Sequence, residues 1–142
     1  MDRRSRVLLL AGIAVLGTVA VITNGPIPQA PGYHAFADQR QFLGIPNFWN
    51  VASNLAFLVV GLWGLLILGR RPTPGVLPAL LPAYLAFFLG TVLVAIGSAY
   101  YHLSPSDKRL VWDRLPMTVT FMAFLAILIG EQISPEIGAP WR

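Results

Sequence analysis

The 142 residues contain no cysteine, which excludes disulfides and thiolate metal sites and leaves histidine, carboxylate and water as ligands for any metal. Charge is also scarce. Asp, Glu, Lys and Arg make up 11% of the chain, against about a quarter in a soluble domain. With 56% hydrophobic residues and a mean hydropathy of +0.66, most of the surface faces a solvent other than water. A net charge of +4 and a pI near 10.1 do not argue for nucleic acid as a partner. The ten Lys and Arg are scattered among short loops, where the membrane surface accounts for them. No internal repeat or low-complexity tract is evident.

What the chain does have is long apolar stretches. Four of them, 7–23, 48–69, 77–102 and 115–130, are uncharged and reach, or nearly reach, the roughly 17–25 residues that cross a hydrocarbon core. They predict an all-α multipass transmembrane bundle of about four helices. The start, Met-Asp-Arg-Arg-Ser-Arg before an apolar run, resembles a signal peptide, but the nearby small residue Ala30 precedes Pro31, a poor context for cleavage. Residues 1–23 are therefore expected to be an uncleaved signal-anchor helix in the cell (inner) membrane. Arg3, Arg4 and Arg6 place the N-terminus in the cytoplasm, with Arg70, Arg71 and Arg142 also inside and Arg40, Lys108, Arg109 and Arg114 outside. Residues 24–47, rich in proline and glycine, then form an extracytoplasmic loop, and residues 48–142 a transmembrane domain.

Polar groups are costly inside a bilayer, so their positions are informative. Asn50, Ser53 and Asn54 fall in the first turns of the second helix. Ser98 and His102 lie four apart near the end of the third, on one face. Asp113, just before Leu115-Pro116, reads as an acid or cap at the start of the fourth. The loop adds His34 and Asp38 on the same membrane side. Each has a plain structural reading: Asn50, Ser53 and Asn54 as caps and interhelical glue, His102 as an interfacial histidine, Asp113 as a cap, His34 and Asp38 as solvated loop residues. Together, however, they offer an imidazole that can bind zinc, a hydroxyl that can donate to an oxyanion and a carboxylate that can move a proton.

At these residues the chain resembles a known family. Gly97-Ser98-Ala99-Tyr100-Tyr101-His102, followed by Trp112-Asp113-Arg114-Leu115-Pro116-Met117, resembles the serine–histidine and aspartate motifs of alkaline ceramidases and their bacterial relatives. These belong to a seven-helix membrane hydrolase superfamily that also contains the progestin and adipoQ receptors. Asn47-Phe48-Trp49-Asn50-Val51-Ala52-Ser53-Asn54 is similar to the family's first-core-helix motif, and Tyr33-His34-Ala35-Phe36-Ala37-Asp38-Gln39-Arg40 looks typical of the bacterial branch. The resemblance implies a zinc-dependent hydrolase of lipid amides such as ceramide, releasing a fatty acid and an amine. His102 would ligate zinc, Asp113 would act as general base and then acid, and Ser98 would stabilise the oxyanion or position the attacking water.

Two departures from the family pattern stand out. Asn47 occupies the motif position where animal ceramidases carry a calcium-binding acid, and the preceding loop lacks their acidic run, so calcium is not expected. The family takes its other two zinc ligands from a His-x-x-x-His pair on its last helix, whereas His34 is the only other histidine here. The expectation is a C-terminally truncated member with an incomplete, inactive zinc site and membrane lipids as partners. Two alternatives are a non-catalytic lipid-binding or receptor-like module and a structural membrane protein associating through faces marked by Gly61, Gly64 and Gly90.

Overall fold

The computed structural model describes residues 3–25, 28–30, 32–36, 38–70 and 75–133. Among them every regular element is helical: α1 (Arg3–Asn24), α2 (Phe48–Ala52), α3 (Leu55–Gly69), α4 (Leu81–Leu103) and α5 (Asp107–Gln132), with a short 3-10 turn over Pro78–Leu80. The all-α expectation is correct. Three segments, Phe48–Gly69, Pro78–Leu103 and Asp107–Gln132, are long and apolar enough to cross a membrane. Pro31, Arg71 and Arg142 lie outside the described residues, as do the side chains of Arg3, Arg4 and Arg6, so the anchor and orientation expectations draw on groups the structure does not describe.

The chain divides into two compact units, residues 1–33 and 34–142. The first holds α1, whose described side chains, such as Leu16, Val21 and Ile22, are exposed. At its end Thr23 Oγ1 donates to the Val19 carbonyl and Asn24 Nδ2 to the Ala20 carbonyl, so two carbonyls of the last turns gain side-chain donors.

The second unit is built around α4, which packs against α3 on one side and α5 on the other. Small residues set both crossings. A Cβ added at Gly61 would fall 2.9 Å from the Val92 backbone nitrogen, and one at Gly90 2.4 Å from Thr120 Oγ1. Helices in lipid gain little from burying apolar surface against each other, so such close backbone approach is what holds them. Gly61, Gly64 and Gly90 are thus used inside the unit, where they meet Val92, Phe88 and Thr120, and are not left as a face for self-association.

Two boundaries differ from the sequence reading. The segment expected as one helix over 48–69 breaks at Ser53-Asn54, where Asn54 Nδ2 donates to the Asn50 carbonyl at 2.7 Å and its backbone N–H turns to Val51 at 3.2 Å. An asparagine side chain competes with the helical ladder in this way. The last helix begins eight residues earlier than expected, at Asp107, with Ser106 Oγ accepting the Arg109 N–H as N-cap. Asp113 is therefore not a helix-terminal acid but lies two turns inside α5, and Pro116 is an interior proline.

Candidate functional site

The last turns of α4 carry Ser98, Tyr101 and His102. The i, i+4 spacing puts Ser98 and His102 on one face, and Ser98 is 4% exposed. His102 is half-buried, and its Nδ1 is buried without a hydrogen-bond partner.

From α5 comes Asp113, 5% exposed, with Oδ1 likewise buried and unpartnered. Its other oxygen lies 3.7 Å from Arg114 Nε, a loose ion pair near the surface. What brings α5 so close is Gly97: a Cβ there would stand 2.0 Å from the Trp112 carbonyl oxygen. Because the helices touch backbone to backbone at Gly97 and Trp112, the next residue of each, Ser98 and Asp113, flanks the contact. Asp113 lies within Coulombic reach of the His102 imidazole. The three residues singled out from sequence share one end of the α4–α5 pair.

Residues 34–36 and 38–47 lie over the same end. His34 binds with both ring nitrogens, Nδ1 to the Tyr101 hydroxyl at 2.8 Å and Nε2 to Asp107 Oδ1 at 2.9 Å. Those nitrogens are thereby engaged with protein groups and not open toward a metal. Asp38 accepts from Arg40 Nε at 2.7 Å and from the Trp49 backbone N–H at 3.0 Å. The Arg40 guanidinium, together with that N–H, holds the Asp38 carboxyl below the ordinary carboxylate range. Both loop residues thus tie the loop to the helices. Asn50 Nδ2 donates to the Asp38 carbonyl, and Ser53 Oγ and Asn54 Nδ2 both donate to the Asn50 carbonyl. This trio ties α2 to the loop and to the turn that leads into α3.

Four contributors were not singled out from the sequence as site residues: Gly97, Phe36, Tyr101 and Asp107. A signal existed for Gly97, which lies within the quoted motif. Phe36 and Tyr101 lie within quoted motifs as well; for Asp107 no signal existed, because its role depends on how the loop lies against the corner between α4 and α5.

Whether zinc suits this site turns on the donors present. Two buried polar atoms lacking partners, one imidazole nitrogen and one carboxylate oxygen, are the types that zinc takes. Among the described residues no group of three His, Cys, Asp or Glu forms a complete shell. The residues present fit part of a zinc site.

Inward from the pair runs an apolar cavity of about 450 Å³ between α3, α4 and α5. Val94 and Thr91 lie one and two turns inward of Ser98, and Met117 and Thr120 one and two turns inward of Asp113, so the cavity continues the site's own face. Its other walls are Ala56, Phe57 and Val60 of α3, with Phe87 and Phe121.

Fold and composition define a polytopic helical membrane protein with buried polar groups at one end of a helix pair. The ceramidase family model matches residues 43–140, more than half of the chain, and the protein belongs to that family. Comparison with curated proteins and with solved structures finds no match.

Proposed function

We propose that this chain carries part of the catalytic apparatus of a zinc-dependent hydrolase of lipid amide (C–N) bonds, with ceramide as the type of substrate. The observation that carries the reading is the pair of buried, unpartnered atoms His102 Nδ1 and Asp113 Oδ1. An orphaned polar atom costs about 1–3 kcal/mol, and a protein keeps such a pair where a ligand satisfies it. His102 supplies an imidazole ligand. Zinc, when bound, polarises the amide carbonyl and activates water. Asp113 Oδ1 takes the proton from the attacking water and delivers it to the departing amine nitrogen. Ser98 Oγ donates to the carbonyl oxygen as charge develops there. The apolar cavity takes the acyl chain, since its walls offer almost no polar group.

One imidazole is not a catalytic zinc site, which takes three protein ligands. The 142-residue chain alone should therefore bind zinc weakly and turn over no substrate. The likeness of residues 33–40 to the bacterial branch supports an inner-membrane location, with residues 1–23 as anchor, a cytoplasmic N-terminus and residues 24–47 facing outward. Lipid binding without cleavage is a second reading, favoured by the same cavity and the single imidazole.

Zinc titrated into the detergent-solubilised chain, compared with His102→Ala, tests the metal. Zinc retained undiminished in the variant would overturn the assignment. Co-expression with a helical segment bearing the family's His-x-x-x-His pair, assayed for fatty-acid release from an N-acyl lipid and lost in Asp113→Ala, separates enzyme from binder.

A further inference from the structure

Asn47 occupies the N-cap position of α2, where an asparagine side chain ordinarily accepts a hydrogen bond from its own helix. Here it makes no such bond. That task falls to Asp38, which accepts the Trp49 N–H. The Asn47 backbone lies in the left-handed region at φ 48°, ψ 44°, a conformation asparagine tolerates better than most residues. The consequence is that its amide points away from α2, and Nδ2 donates to the His102 carbonyl at 2.8 Å. That carbonyl is in the final turn of α4, where carbonyls have no helical donor.

The His102 ring is held separately. Phe36 meets it edge to face, centroids 4.7 Å apart at 61°, and also meets Tyr101 at 5.7 Å and 83°. Phe36 is itself fixed on both sides, by His34 two residues before, bound to Tyr101 and Asp107, and by Asp38 two residues after, bound to Trp49. Nδ1 of His102 has no hydrogen bond to orient it, so the ring is held by its contacts with Phe36 and with Tyr101, the latter at 5.1 Å and 53°.

We propose that Asn47 and Phe36 are positioning residues for His102, one through the last-turn carbonyl of its helix and the other through the face of its ring, fixing where its unpartnered nitrogen points. The inference rests on the reading of His102 as the metal-bearing histidine. Groups that orient a metal ligand are typically worth 10–100-fold in metal affinity.

The test uses the whole chain in detergent micelles with 15N-labelled histidine. Only His34 and His102 give signals, and His102→Ala assigns them. Asn47→Gly keeps the left-handed backbone at no steric cost and removes only the amide; Phe36→Leu keeps an apolar side chain and removes the ring. Both should move or broaden the His102 ring signals, leave those of His34 in place and weaken zinc binding at His102 about tenfold. The proposal is overturned if the His102 signals stay put in both variants, or if both histidines shift together with a fall in unfolding temperature. If His102→Ala leaves zinc binding unchanged, the metal reading falls, while the metal-free spectra still decide whether Asn47 and Phe36 hold the ring.

Discussion

Pro116 stands four residues after Trp112 and has no N–H, so the Trp112 carbonyl loses the donor that would ordinarily bond it within α5. That carbonyl is the atom against which Gly97 packs. One proline on α5 and one glycine on α4 together make the crossing that Ser98 and Asp113 flank. In a medium without water, a freed carbonyl beside a backbone Cα–H gains a weak partner that a larger side chain would displace.

Gly97→Ala should therefore be among the most damaging single substitutions in the chain. The added Cβ meets backbone, which cannot rotate aside, so the helices must part at the site. Overpacking of this kind costs about 1–3 kcal/mol. A lowered unfolding temperature in detergent, with weaker zinc retention, is the expected result; a variant as stable as the parent would disprove the close crossing.

Asp113→Asn should act oppositely on stability and function. It replaces a buried carboxylate having one unpartnered oxygen with a neutral group of the same shape, relieving a desolvation penalty. Thermal unfolding of the metal-free protein should shift upward, while amide hydrolysis in the complemented enzyme disappears. Loss of both stability and activity would mark Asp113 as merely structural.

His34 and Tyr101 should prove energetically coupled. Their 2.8 Å hydrogen bond crosses 67 residues of sequence, and a double-mutant cycle of His34→Ala with Tyr101→Phe should return about 0.5–1.5 kcal/mol. Strictly additive effects would show that the loop is not held by this bond.

The Asp38 tether gives a dependence on acidity of definite sign. Its carboxyl is depressed in the folded state, chiefly by the hydrogen bond from Arg40, so it contributes stability above the ordinary carboxylate value of about 3.9. That contribution is lost as the pH falls through the lower, folded value. Asp38→Asn should be less stable at neutral pH and show a flatter decline in acid. Parallel pH profiles for the two proteins would refute the role.

Much of this was legible in the residues themselves. Long uncharged stretches can be satisfied only by helices in lipid, so three of the four expected spans follow from composition, and the four-residue step from Ser98 to His102 puts them on one face. The starts of helices were less legible. Ser106 and Asp107 fall outside the uncharged stretch expected to form the last helix, yet as cap and first turn they set α5 eight residues earlier and moved Asp113 from a terminus into a helix interior.

The sequence by itself determined the solvent, the helical class and the residue types available for chemistry, because these follow from local composition and period. Only the tertiary structure decided how those residues meet. The contact of Gly97 with Trp112, the reach of Asn47 to His102 and the engagement of both His34 nitrogens each join atoms far apart along the chain. Such pairings depend on the angle at which helices cross and the path of a loop over their ends, and no local periodicity encodes either.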